Sequence, residues 1–371
     1  MKIIITYASA GTGHRRAAEA LYNYFKENCP THDLKIIDIL EKTNPFFKNL
    51  YCWGYPFFVN HALWLWCFGF WITYIKAFRP IIKTLVSLIN QLNTRNFVQF
   101  LIQENADFII SSHFFPVEVV ARLKRNQKLD SKLVTVITDF GVHPFWVLDD
   151  TDIYIVASDF SKEQLIQQGV KENKIEVLGI PIDAKFLKSF DKNILCRKFN
   201  IAPDKFTVLI VTGSFGIGKI EEAVDLLYQE VQILAVCAQN KILYARLKKK
   251  NYPGLKIFGF IDNIQELMAV SDIIITKPGG LTISESLAMD LLPIFITAIP
   301  GQETENAKVL AKKSIGINIK DIASIKDIVL DLKNHPDKLK NIKEKISKEK
   351  RPFAAKDLCN VICQDSIRYT S

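Results

Sequence analysis

Short apolar runs recur along the chain, separated by stretches with helical periodicity. The first series reads KIIITY (2–7), LKIIDI (34–39), DFIISS (107–112), KLVTVIT (132–138), DIYIVAS (152–158) and KIEVLG (174–179). A second begins at FTVLIVTG (206–213) and continues through VQILAVC (231–237), LKIFGF (255–260), DIIITK (272–277), PIFIT (293–297) and IGINI (315–319). Near-continuous apolar strands need cover on both faces, so this alternation predicts an α/β protein with two doubly wound parallel-sheet domains. The polar, proline-bearing stretch at 179–205, GIPIDAKFLKSFDKNILCRKFNIAPDK, reads as the linker. It puts the boundary near residue 182 and gives domains 1–182 and 183–371. After Lys320 the pattern is helical and lysine-rich, and its last apolar-periodic stretch, FAAKDLCNVICQDSI, is expected to pack back on the first domain.

One segment, an insertion at about 46–76, breaks the rhythm. From Asn49 to Ile75 there is no charged side chain, and four of the five tryptophans lie there: Trp53, Trp64, Trp66 and Trp71. Phe57, Phe58 and Phe70 add to its apolar surface. By length it could span a bilayer. Trp and Tyr prefer the headgroup boundary, however, and Gly54, Pro56, Asn60 and His61 interrupt the run. Strands of one domain flank it on both sides, so the expectation is an element lying in the membrane plane. A protein-covered helix and a true span are the other readings. Between Lys42 and Lys132 eleven Lys or Arg face four Asp or Glu, which favours an anionic leaflet.

The overall formal charge of +9 points the same way, toward anionic partners. Seven cysteines are scattered without a CxxC pair, which argues for reduced thiols rather than disulfides or a zinc site. Cys359 and Cys363, one helical turn apart, read as packed neighbours. The first apolar run is too short for a signal peptide.

Glycine-rich turns carry the candidate chemistry. SAGTGHRRAAEAL hands a strand to a helix through Gly11, Gly13 and His14, and bare amides at such a turn attract anions. VTGSFGIGK (211–219) has P-loop spacing, but Ile220 stands where a magnesium-binding hydroxyl is required. That leaves Ser214 and the amides around Gly216 as diphosphate donors without a metal. TKPGGLTISE places Pro278, Gly279 and Gly280 before a helix, with Glu285 one turn in, where a carboxylate can bind a ribose diol. Gln302, Glu303 and Asn306 suit a hydroxyl-rich ligand, and TDFGVHPFW brings Asp139 and His143 to the end of a strand. The acidic run DDTD (149–152) precedes a strand and reads as a solvated turn.

Together, SAGTGHRRAAEAL, TDFGVHPFW, GIPID, GFIDNIQELMAVSDIIITKPGGLTISE and PGQETENA resemble the monogalactosyldiacylglycerol synthases and processive diacylglycerol glycosyltransferases of glycosyltransferase family 28. The resemblance implies a GT-B fold, two Rossmann-like domains facing a central cleft. It implies inverting transfer of a hexose from UDP-glucose or UDP-galactose to diacylglycerol or a glycosyl-diacylglycerol, with no metal and no cofactor. By the same resemblance Phe260 and Ile261 form a backbone uracil site, Glu285 binds the ribose, and Ser214 and Gly280 contact the diphosphate. Gln302, Glu303 and Asn306 hold the sugar or its phosphate. His14 matches the catalytic base, with Asp139 as rival or orienting partner. The implied setting is an anionic membrane surface on the cytoplasmic face of the cell membrane, held peripherally, with no role for nucleic acid. Two other readings stay open: transfer to a polyprenyl-linked cell-wall precursor, and a membrane protein that senses UDP-sugar without turnover.

Overall fold

The computed structural model describes all residues except 10, 76, 214, 215, 217, 297, 299 and 371. The side chains of 55–61, 63, 66, 70 and 365–370 also lie outside the description. Each predicted run becomes a strand. The first six are β1 (Lys2–Tyr7), β2 (Asp33–Asp38), β3 (Phe108–Ser111), β4 (Lys132–Val136), β5 (Ile153–Val156) and β6 (Ile175–Val177). The second six are β7 (Thr207–Val211), β8 (Gln232–Val236), β9 (Leu255–Phe258), β10 (Ile273–Thr276), β11 (Leu292–Phe295) and β12 (Ile317–Asn318). They form two six-stranded parallel sheets, ordered β2-β1-β3-β4-β5-β6 and β12-β11-β10-β7-β8-β9. The chain divides into two compact units. One comprises Met1–Asp183, Pro300–Gln302 and Phe353–Ser371, and the other Ala184–Ile299 and Glu303–Pro352.

Side-chain alternation explains the apolar runs of the first sheet. Ile3, Ile5, Phe108, Ile110, Val134 and Val136 point to one face, where they meet Leu21 and Phe25 of the helix Thr12–Asn28. Leu358 and Ile362 of the C-terminal helix Ala354–Thr370 cover the same face. Ile4, Ile109, Leu133 and Tyr154 point the other way, onto the helices Arg95–Glu104 and Phe114–Arg125.

Two sequence expectations need correction. The stretch read as a linker is folded, with a 3-10 turn at Ala184–Leu187 and a helix at Lys192–Phe199. Ile180, Phe186 and Cys196 within it are buried, and the Asp191 carboxylate caps the helix through the amides of Asn193 and Ile194. Nor do Gly54 and Pro56 interrupt the aromatic insertion, because the helix Pro45–His61 runs through both.

The insertion continues as the helix Leu63–Ile72. Trp53, Trp64 and Trp71 are 75%, 71% and 59% exposed, and the side chains of Phe57, Phe58, Trp66 and Phe70 lie outside the description. The helix Arg79–Asn93 adds a second apolar face, with Ile81, Leu85, Leu88, Ile89 and Leu92 exposed at helical spacing. Among the described residues no helix is long and apolar enough to cross a membrane.

Candidate functional site

In doubly wound sheets ligands bind beyond the carboxyl ends of the strands, where the strand order reverses. In the first sheet that point lies between β1 and β3, and in the second between β7 and β10. The four loops leaving those strands hold the His14 turn, Ser112–His113, the 212–219 loop and the 277–280 turn.

His14 lies in the first turn of the helix Thr12–Asn28, whose Gly11 cap supplies no side-chain hydrogen bond and whose first turn carries no acid. A Cβ built on Gly11 would meet nothing within 4 Å, so Gly11 leaves open space and Gly13 follows without a side chain. Arg15 turns outward onto Glu19 at 2.7 Å. The His14 Nδ1 sits 2.8 Å from the Ser112 carbonyl oxygen and 2.8 Å from Thr138 Oγ1. A carbonyl only accepts, so Nδ1 carries the proton and donates, and Nε2 keeps its lone pair. The Ser112 hydroxyl in turn donates to the His14 carbonyl at 2.8 Å. The ring packs edge-on against His113, with centroids 4.5 Å apart, and lies 6.4 Å from Trp146. Burial lowers the His14 pKa from 6.5 to about 4, so the ring is neutral near pH 7.

Asp139 is buried beside Thr138, past the end of β4. The orienting contacts to His14 Nδ1, however, come from Thr138 and Ser112. Neither stood out in the sequence, although both follow the carboxyl end of a strand. His143 does different work. Its Nδ1 accepts from the Phe145 amide at 3.2 Å, so Nε2 donates to Thr73 Oγ1 at 2.9 Å and ties the end of the aromatic insertion to this loop. Burial, with Arg79 and Lys83 nearby, lowers the His143 pKa to about 4. The acidic turn 149–152 is engaged structurally: Arg125 pairs with Asp150, and Lys124 with Asp152 at 2.5 Å.

The depressed histidines have a consequence for stability. As pH falls through 6.5 the unfolded chain protonates these rings, whereas the folded unit does so only near 4. Stability present at pH 7 is therefore lost between those limits. For the well-buried His143 the loss approaches roughly 3 kcal/mol by pH 4, at about 1.4 kcal/mol per unit. Thermal unfolding should show the midpoint falling from pH 7 to pH 5, and a flat midpoint contradicts the assignment.

In the other unit the 212–219 loop bends through Gly213, Gly216 and Gly218 at φ +82°, +58° and +126°. A Cβ at Gly216 would lie 2.2 Å from the Cys237 carbonyl oxygen. The Gly216 amide donates to the Gly213 carbonyl at 3.2 Å, so this glycine shapes the loop. Ser214 lies outside the described residues.

The helix Gly280–Ala288 has no side-chain cap on Gly279, so no capping side chain meets its first amides. A Cβ at Gly279 would meet nothing within 4 Å. Glu285, one turn in, is 5% exposed. Pro278 is fixed by Asn306, fully buried, whose Nδ2 donates to the Pro278 carbonyl at 3.0 Å. Glu303, in the first turn of the helix Gln302–Lys312, accepts from Lys277 Nζ at 2.7 Å. Lys277 also covers Gly213, where an added Cβ would come within 2.9 Å of its Cε. This lysine went unread in the sequence, although it lies inside a quoted motif. Gln302 and Ile261 are half-buried and Phe260 is 55% exposed, just past β9.

Residues 14–182 match the family model of monogalactosyldiacylglycerol (MGDG) synthase, and residues 207–358 that of the glycosyltransferase family 28 C-terminal domain. Over 375 residues the chain is 31% identical to the processive diacylglycerol beta-glucosyltransferase of Staphylococcus haemolyticus, covering 96% of this chain and 91% of that protein. The enzyme of the same name from Bacillus cytotoxicus is 28% identical, covering 100% and 95%. Among solved structures, Acinetobacter baumannii MurG aligns with a TM-score of 0.60 at 15% identity, over 98% of this chain and 99% of that one. Anabaena Alr3699/HepE in complex with UDP-glucose aligns at 0.59 and 15%, over 98% and 100%. At such identities the structural likeness concerns the fold alone.

Proposed function

The chain belongs to the monogalactosyldiacylglycerol synthase and processive diacylglycerol glycosyltransferase family of glycosyltransferase family 28, with its GT-B fold, and from that premise we propose that it transfers a hexose from a UDP-sugar to diacylglycerol or a glycosyl-diacylglycerol, giving a β-glycoside. UDP-glucose is the preferred donor in this reading, because the relatives named above are glucosyltransferases. The observation that carries the chemistry is the fixed tautomer of His14, held at Nδ1 with Nε2 left as the basic nitrogen. The acceptor hydroxyl gives its proton to Nε2 as its oxygen attacks C1, and the bond from C1 to the β-phosphate oxygen breaks. The sugar inverts and UDP leaves with the electron pair. Amides at the start of the helix Gly280–Ala288 and the Lys277 ammonium stabilise the leaving diphosphate, so the step needs no divalent cation. Omitting magnesium and manganese should leave the rate unchanged.

In the donor half, Glu285 accepts hydrogen bonds from the ribose hydroxyls and the backbone at Phe260–Ile261 reads uracil. Gln302 and Glu303 face the sugar and its phosphate, with Glu303 exchanging its lysine partner for hydroxyls. Glu285→Ala removes hydrogen bonds to a charged group, about 1.5–3 kcal/mol in all, so calorimetry should show UDP binding weakened roughly tenfold or more. Unchanged affinity in a folded variant takes Glu285 out of the site.

The exposed aromatic and apolar faces of residues 46–92 hold the protein peripherally on an anionic membrane, where diacylglycerol is found. The proposal is tested with vesicles of diacylglycerol and anionic lipid, UDP-glucose or UDP-galactose, and mass spectrometry of the lipids. A hexosyl-diacylglycerol whose linkage a β-glycosidase cleaves supports it. Binding of UDP-sugar with no glycolipid formed indicates a sensor instead.

A further inference from the structure

The first unit gathers thiols that the sequence keeps far apart. Cys29 ends the helix Thr12–Asn28 as its cap, and Cys359 and Cys363 lie on one face of the helix Ala354–Thr370. The Cys29 and Cys359 sulfurs are 3.1 Å apart, and all three sulfurs lie within 4.8 Å of one another. His32, in the loop after Cys29, brings its Nε2 to 3.9 Å from the Cys363 sulfur. Its Nδ1 is buried without a hydrogen-bond partner. No disulfide joins the described cysteines.

We propose that Cys29, Cys359 and Cys363, with His32 as the fourth ligand, form a structural zinc site that staples the C-terminal helix to the N-terminal unit. A tetrahedral zinc ion with bonds of about 2.3 Å to sulfur sets its thiolates roughly 3.7 Å apart, within the spread of these sulfurs. Three thiolates and an imidazole select a soft or borderline cation over magnesium or manganese. On binding, each thiol releases its proton to solvent and its sulfur becomes a metal ligand, with no change of oxidation state. Leu358 and Ile362 already pack this helix onto the sheet, so the ion reinforces a contact that apolar burial establishes. The CxxC rule missed the site because the ligands come from opposite ends of the chain: Cys29 and Cys359 are 330 residues apart.

The test uses the full chain, purified with reductant and stripped of metal. Cobalt(II) should give a thiolate charge-transfer band with tetrahedral d–d absorption, saturating at about one equivalent and bleached by zinc. At about a hundredfold excess over its Kd, zinc should raise the unfolding midpoint of the unit on the order of 5–10 °C. Cys359→Ser should abolish the band, whereas Cys67→Ser keeps it. His32→Ala leaves every thiol in place and should shift the d–d spectrum, which covers the case in which the serine variant folds poorly. The proposal is overturned by a parent protein without a saturating cobalt band, or by a band that survives Cys359→Ser. It is equally overturned if peptide mass spectrometry finds the isolated chain carrying a Cys29–Cys359 disulfide.

Discussion

Replacing His14 by alanine lowers turnover by roughly two to four orders of magnitude while UDP affinity stays almost unaltered. The expectation follows from the proposed division of labour. The donor is bound by residues of the second sheet, and His14 touches only the proton of the attacking hydroxyl. A neutral ring is the form that can accept it, and burial holds His14 at about 4, so the base is in its working state throughout the neutral range. The acid limb of kcat/KM, which reports the free enzyme, should therefore stay flat from pH 8 to about 5 and fall only as the pH approaches 4. A limb near 6.5 would mean a solvated ring and would remove this account of its tautomer. Thr138→Val deletes one of the two contacts to Nδ1 and leaves the Ser112 carbonyl, so its loss should be about tenfold and confined to kcat. If His14→Ala keeps turnover within a few-fold, Asp139 becomes the base to test, through Asp139→Asn.

What could be read in the sequence divides along physical lines. Strands were legible because burial on both faces leaves a local mark: Ile3, Ile4 and Ile5 alternate between two cores, yet all three are apolar. Turns were legible because glycines write them into short motifs, hence the His14 loop and the start of the helix Gly280–Ala288. The partners of those motifs left no local mark. Ser112 and Thr138 reach His14 across 98 and 124 residues, as ordinary hydroxyl residues at strand ends. Lys277 carried no local signal, and the fold lays it over Gly213 and against Glu303. The spacing around Gly216 showed a glycine turn but not the Cys237 carbonyl that would lie 2.2 Å from an added Cβ there. The apolar face of the helix Arg79–Asn93 was overlooked for a different reason. Exposed leucines at helical spacing look the same in sequence as buried ones, and only the fold reveals which side they face.

That second face bears on the last prediction. Replacing Trp53, Trp64 and Trp71 together with serine should weaken binding to anionic vesicles strongly while leaving UDP binding intact. These indoles are 75%, 71% and 59% exposed, so each has apolar area still to bury. Full burial of a large apolar side chain contributes about 1.5–3 kcal/mol. At an interface roughly half of that is realised, so the three together amount to about 2–5 kcal/mol, or on the order of 30- to 4,000-fold in partitioning. In the proposed membrane reading, the five exposed aliphatic residues of the helix Arg79–Asn93 are an independent anchor. Changing Leu85, Leu88 and Leu92 to serine should therefore weaken binding further, and a combined variant should lose it. Salt separates the contributions: attraction between basic residues and the anionic leaflet is screened within about 10 Å at 0.1 M, whereas burial of tryptophan is not. Vesicle co-sedimentation at low and high salt should show a salt-sensitive part shared by parent and variants and a salt-resistant part that falls when the indoles are removed. Co-sedimentation of the tryptophan variant equal to that of the parent at high salt would sink the in-plane reading. The exposed rings would then need a protein partner to cover them, since a water-facing surface gains nothing from three exposed indoles.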